Sequence, residues 1–284
     1  MIKRITNGVR SCIPLSARMH AAAWLTRQPW ASDWLSMGLV RDLLARDPKH
    51  FHKFAWSNHL MGYARWYDDE HELFAFDRMQ PSRIEFFRDL ASVLGELGVK
   101  SSDVRSVLEV GCSQGYLLRY LESEMFRDST ELVGLDIDAA GIEKGARYLK
   151  RIGSRVALVQ GDMEDFETLV GVKRFDVIFA AGVLSYLNQS DAARVVSLML
   201  RRTNKVLALA GLACTDRNNS TLTESATSSS RPGQWIHNFE AMVRAAGGRV
   251  VRSRWEGARL YNLQTICFAF ALPEESRGMP HGTA

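Results

Sequence analysis

The residues with the clearest chemical spacing lie between Val107 and Leu118, where the chain reads Val-Leu-Glu-Val-Gly-Cys-Ser-Gln-Gly-Tyr-Leu-Leu. A β-branched run, two glycines four positions apart and an apolar helical pattern predict a strand, a tight turn and a helix start. Gly111 and Gly115 allow backbone angles closed to other residues and let a ligand approach the main chain. The helix start then offers unpaired N–H groups to a polar or anionic part of that ligand. A second apolar run ends at Asp136, 21 residues after Gly115. A carboxylate there can accept hydrogen bonds from the hydroxyls of a ribose, and Asp138 caps the helix that begins at Ala139.

Two other readings of the turn are open to test. A dinucleotide fingerprint needs glycine at 113 and 116, where Ser113 and Tyr116 stand. Gly111-Cys-Ser113-Gln-Gly115 also fits the G-x-S-x-G elbow of serine hydrolases, another strand–turn–helix. That chemistry wants strands before the elbow and an upstream oxyanion motif, and the first hundred residues offer neither. Apart from His281, the histidine downstream of Ser113 is His237. A serine hydrolase using Ser113 stays as the alternative.

The segment Glu109-Val-Gly-Cys-Ser-Gln-Gly115 resembles motif I of class I, Rossmann-like S-adenosylmethionine (SAM)-dependent methyltransferases, an acid followed by Gly-x-Gly-x-Gly. Ser113 takes the middle glycine's place. The resemblance implies that Glu109, Gly111, Cys112, Ser113 and Gly115 build the cofactor turn, and that Asp136 with Ile137 holds the ribose. Gln160-Gly-Asp162-Met163 resembles the family's adenine segment, which assigns the exocyclic amine to Asp162 and a ring contact to the Met163 N–H. Phe175-Asp-Val-Ile resembles the Phe-Asp-x-Ile segment, whose exit at Ala180 and Ala181 lies beside the methionine part of the cofactor. These elements run in the family's order over residues 104–211, although Asn204-Lys205 stands where the family often has Pro-Gly-Gly. From about residue 70 onward there is a fainter likeness to bacterial small-molecule N-methyltransferases, such as those of nodulation-factor synthesis. The implied reaction moves a methyl group from SAM to a nitrogen or oxygen of a small-molecule acceptor, leaving S-adenosylhomocysteine (SAH), with no metal.

In-line displacement at a sulfonium carbon needs alignment and exclusion of water. A hydroxyl acceptor also wants a base, for which Tyr186, Asp216 and His237 are the catalytic candidates, with Arg217 nearby. Residues 51–76 hold eight aromatics, among them Trp56, Tyr63, Trp66 and Tyr67, interleaved with His59 and Asp68. Such rings could roof the cofactor and bind an aromatic or cationic acceptor. Ala180-Ala-Gly-Val replaces the Asn/Asp-Pro-Pro-aromatic motif of DNA amino-methyltransferases, so no DNA substrate is expected. The aspartate that metal-dependent O-methyltransferases place after the fourth strand is also missing. His50-x-His52 with His59 lacks the cysteine or carboxylate a metal would need. Arg147, Lys150, Arg151 and Arg201-Arg202 read as solvated helix faces. RNA methylation and a SAM-binding module without catalysis remain as lesser alternatives.

The elements that must position these residues follow from the changing periodicity. Up to about residue 100 the pattern is helical, and one helix opens at Pro81 and carries Ile84, Phe87, Leu90, Val93, Leu94 and Leu97. Another runs from Ser32 or Asp33 through Trp34, Leu35, Leu39, Val40, Leu43 and Leu44 to Asp47-Pro48. Apolar runs at 104–110, 132–136, 155–159, 175–180 and 205–210 then alternate with helical stretches near 115–124, 139–151 and 190–202. That alternation predicts a parallel sheet. A helix at 235–247 and strands at 249–254 and 264–272 predict an antiparallel edge. The expected fold is therefore α/β, a Rossmann-like seven-stranded mostly parallel sheet with an antiparallel C-terminal edge, plus an N-terminal helical cap. Residues 1–100 form the cap and acceptor-binding segment, and 101–275 the SAM-binding domain. Residues 218–233 contain eight Ser or Thr in sixteen positions and predict a mobile loop.

Bulk properties restrict function only loosely. The 284 residues are 46% hydrophobic and 24% charged, with a net charge of +4 that makes no nucleic-acid signature. No apolar run is long enough to span a bilayer, so no membrane partner is expected. Four scattered cysteines (Cys12, Cys112, Cys214, Cys267) suggest neither zinc nor disulfides. The expected location is the cytoplasm, although the acid-free, basic residues 1–32 also suit an organellar transit segment. Oligomeric state is left open by the sequence.

Overall fold

The computed structural model of the protein describes residues 13–28, 30–60, 74–260 and 264–273. Expectations resting on residues 1–12, on Tyr63, Trp66, Tyr67 and Asp68, or on His281 lie outside the described residues. The chain opens with helices α1 (Leu15–Leu25), α2 (Asp33–Val40), α3 (Leu43–Arg46) and α4 (Pro48–Ser57). The single helix expected from residue 33 to 46 is broken at Arg41-Asp42. There Arg18, only 4% exposed, reaches across from α1 with both guanidinium arms. It donates to the two Asp42 carboxylate oxygens at 2.6 and 3.0 Å and to the Leu39 carbonyl at 2.9 Å. This bidentate bond holds the Asp42 carboxyl below its ordinary pKa. Ala22, Val40, Leu43 and Phe51 form a small apolar cluster of their own. Trp34, expected on the buried face, is instead 73% exposed. Asp47 accepts the His50 N–H at 3.1 Å and Pro48 takes the first helical position, so α4 begins where the break signal stands.

Helix α5 (Pro81–Glu96) then leads into the sheet. Strands β1 (Ser106–Val110), β2 (Glu131–Asp136), β3 (Val156–Gln160), β4 (Phe175–Ala181) and β5 (Thr203–Gly211) are parallel. They alternate with α6 (Tyr116–Tyr120), α7 (Ala139–Arg151), α8 (Phe166–Val170) and α9 (Gln189–Arg201). After a two-stranded ribbon, β6 (Ala226–Thr227) with β7 (Trp235–Ile236), come α10 (Phe239–Ala245), β8 (Arg249–Leu260) and β9 (Gln264–Leu272). The sheet order is β3-β2-β1-β4-β5-β9-β8, with β9 antiparallel to β5 and β8 antiparallel to β9. This is the expected fold class. The edge hairpin is longer than foreseen, because β8 continues through residues read as a connection.

Successive strand residues feed opposite layers. Val107, Val177, Phe179 and Val206 join α5, α6 and α7 on one face, while Leu108, Ile178, Leu207 and Leu209 join α9 and α10 on the other. Both faces are therefore dry, which is why the strands read as continuous apolar runs. Helix α5 belongs to this core. Fully buried Phe86 stacks on Phe270 with ring centroids 5.5 Å apart and meets Phe268 edge-on at 5.2 Å.

The Ser/Thr-rich stretch, expected as a mobile loop, contains a short 3-10 turn (Asn219–Thr221) and strand β6. Asn219 is 1% exposed and donates to the Leu212 and His237 carbonyls, while its own carbonyl accepts the Cys214 N–H. Asn238 donates to the carbonyls of Ser220 and Leu222. Hydrogen bonds supply the order that apolar burial does not.

Candidate functional site

At the carboxyl ends of β1, β2 and β4 lies a cavity of about 820 Å³, the usual ligand position in open α/β sheets. Its floor begins with the turn after β1. Gly111 has φ 80°, and a side chain there would strike Val183, its Cβ falling 2.5 Å from Val183 Cβ. Ser113 holds φ 50°, left-handed in a residue that is not glycine. Its N–H donates to Asp136 Oδ2 at 2.7 Å, and the Asp138 N–H donates to Asp136 Oδ1 at 2.9 Å. Burial raises the Asp136 carboxyl to about pKa 6, against these N–H groups, which favour its charged form. Asp138 accepts the N–H groups of Ala140 and Gly141 at 3.1 Å, which makes it the expected cap of α7.

Of the expected cofactor residues, Gly111, Ser113, Asp136, Ile137, Asp162, Met163 and Ala181 line the cavity. Glu109, Cys112, Gly115 and Ala180 do not. Cys112 turns its sulfur toward Gly134, and its N–H is taken by the Leu135 carbonyl at 3.1 Å. Gly115, at φ 81°, lets α6 begin close against Leu158 and Leu149. Ala180 is fully buried in β4. Glu109 lies beneath the turn, 1% exposed, where burial pushes its carboxyl well above the ordinary range and the charge of Arg83 opposes the shift.

Arg83 is a cavity residue that the sequence did not reveal. It enters from the first turn of α5, donates to the Ala181 carbonyl at 2.8 Å and has a buried Nε without a partner. The roof is α4, whose Lys49, His52, Lys53 and Trp56 all line the cavity. Their spacing of three, four and seven puts them on one helical face; Trp56 is among the rings expected as a roof, whereas Lys49, His52 and Lys53 are additions the sequence analysis did not single out for this role. Lys49 pairs with Glu164 at 2.7 Å and Asp191 at 2.5 Å, and Lys53 pairs with Asp162. The Lys53 bond to Asp162 raises the lysine's pKa.

The catalytic candidates separate. Tyr186 and Asp216 line the cavity, with Tyr186 against His52 (centroids 4.9 Å) and Trp56 (5.8 Å). His237 does not reach it. His237 is 2% exposed, with Nδ1 bonded to Ser225 Oγ at 2.6 Å and Nε2 to the Leu184 carbonyl at 2.9 Å. It ties the ribbon to the turn after β4, and it provides Ser113 with no base for an elbow mechanism. His52 is as buried (2%), but neither of its ring nitrogens completes a hydrogen bond. Burial holds its pKa down, while the nearby backbone of Pro232 and Gly233 acts the other way.

Comparison with known proteins accords with this geometry. Residues 107–205 match the family described as a methyltransferase domain. The ubiquinone biosynthesis O-methyltransferase of Serratia proteamaculans is 26% identical over 133 residues, 47% of this chain and 49% of that protein. The enzyme of the same name from Azorhizobium caulinodans is 24% identical over 164 residues, 56% and 59% of the two chains. The chain thus spans between half and three-fifths of the length of these curated relatives. In fold, it is similar to the SAM-bound magnesium protoporphyrin IX methyltransferase of Synechocystis. The TM-score is 0.54 at 13% identity, with 79% of this chain and 96% of that one covered. Residues 107–205 thus match a methyltransferase domain, within a Rossmann-like fold.

Proposed function

From that domain, we propose that the protein transfers a methyl group from SAM to a nitrogen or oxygen nucleophile of a small-molecule acceptor. The carrying observation is Asp136, a carboxylate at the end of β2 held by two N–H groups and facing a large cavity. Each oxygen retains a lone pair for a ribose hydroxyl. Asp162 and Met163 sit at the adenine end, and Arg83 brings a fixed positive charge to the opposite end, suited to an amino-acid carboxylate. Bound SAM supplies an electrophilic methyl carbon on a sulfonium. The chain's part is to orient that carbon and shield it from water, using the α4 roof, Tyr186 and the ribbon. The names of the curated relatives support a small acceptor and favour oxygen.

Calorimetry on the full chain tests the reading. SAM and SAH bind and NAD gives no heat; binding of NAD alone, or of none of the three, overturns it. Labelling of Ser113 by a serine-reactive phosphonate would instead promote the hydrolase.

A further inference from the structure

The corner where α1 turns into α2 presents to solvent what globular proteins usually cover. Trp24 is 54% exposed, Trp30 66% and Trp34 73%, and Leu35 beside Trp34 is exposed as well. One exposed ring is ordinary, but three within eleven residues make a patch. Trp24 and Trp30 meet edge-on, with ring centroids 6.1 Å apart. The rings have no vacant core to return to, because the inner sides of these helices are filled. There Met19 and Ala22 of α1 pack with Leu39 and Val40 of α2 and with Phe51 of α4.

Charge is distributed to match. Residues 1–60 hold nine Lys or Arg and three Asp, a net +6, whereas the other 224 residues hold 27 basic and 29 acidic, a net −2. Arg27 stands between Trp24 and Trp30 and is itself exposed. We propose that this corner docks the protein on an anionic lipid bilayer, with the three tryptophans in the headgroup layer. An indole has an apolar body and one N–H donor, which suits the boundary between acyl chains and water. Lys and Arg are drawn to anionic headgroups across the same boundary. A second copy of the chain would instead bring like charge against like. Single-stranded RNA answers the charge and can stack on the rings, but it offers Leu35 no apolar cover. The expectation of no membrane partner concerned crossing. Among the described residues no helix is long and apolar enough to span a bilayer, and docking on its surface needs none. The docking holds whatever the cavity binds, and since Phe51 shares the cluster, the docked unit includes the helix that roofs the cavity.

The test uses the full chain with two kinds of vesicle, phosphatidylcholine alone and phosphatidylcholine with about one-third phosphatidylglycerol. The protein sediments with the mixed vesicles, binds phosphatidylcholine about tenfold or more weakly, and is released as salt rises toward about 0.5 M. On binding, tryptophan emission shifts to the blue, and lipid brominated near the headgroup end of its acyl chains quenches it. The variant W24S/W30S/W34S keeps the wild-type far-UV circular dichroism, because all three side chains are exposed. Its affinity for the mixed vesicles falls by about tenfold or more. Three results each overturn the proposal: no binding to the mixed vesicles, binding without shift or quenching, or a folded triple variant that binds like the wild type. Preference for poly(U) RNA over the mixed vesicles in direct competition overturns it too. The emission and quenching readings need only the wild type, so they decide the matter even where the variant fails to fold.

Discussion

On the floor of the cavity, Asp136 is fixed by N–H groups of its own and the adjacent strand's turn. On the roof, Lys49 reaches carboxylates 115 and 142 positions further along the chain. The floor is main chain closing on main chain, and its shape follows from where strands end. The roof is a helix with long side chains, placed by charge pairs that tolerate adjustment. A rigid half suits a ligand with one chemistry, and an adjustable half suits a partner that varies.

The sharpest way to break this contrast is on the floor. Asp136→Ala should weaken SAH binding by about 2 kcal/mol or more while the fold survives, because two charge-assisted bonds are lost. Unchanged affinity by calorimetry would remove the ribose assignment. The same carboxylate gives the floor a pH dependence. Its pKa, about 6 in the free chain, must fall when hydroxyls donate to the charged form. Affinity is therefore full above pH 7 and drops by about tenfold for each unit below pH 6. A flat profile from pH 7 to 5 contradicts it.

The remaining effects are smaller, and the one on the roof has the opposite sign. If Asp162 takes the adenine amine, Lys53 competes for it, and Lys53→Met should tighten SAH by up to about fivefold. Looser binding would make Lys53 a cofactor contact. The smallest change is Ser113→Gly. Relief of the left-handed backbone, about 1 kcal/mol, is partly cancelled by the freer unfolded chain. The melting temperature then rises by a few degrees or less, with activity retained.

These two halves also differ in how far the sequence discloses them. Strand ends and the Gly111–Gly115 turn are local patterns, so the sheet could be placed from periodicity, and the resemblance to the methyltransferase motifs pointed to Asp136, Asp162 and Met163. Cys112, Gly115 and Ala180 follow the same pattern but point away from the cavity, since period-two alternation and helix packing decide which side a residue serves. His237 illustrates the limit best. A histidine at a helix start after a polar stretch looks catalytic, until Ser225 and the Leu184 carbonyl occupy both nitrogens. The ribbon's order depends on Asn219, whose three bonds join residues up to 18 positions away. No composition rule sees such a network.

The depth at which α5 is set has a consequence for how this molecule can diverge. Phe86 stacks into β9, so the helix that delivers Arg83 is inseparable from the sheet. Helices α1 to α4 keep a separate apolar cluster and meet the floor through rings and charges. The natural splice therefore falls between Ser57 and Pro81. On the proposed methyl-transfer reading, exchange of the segment N-terminal to it would keep the donor site on the sheet and alter the acceptor side.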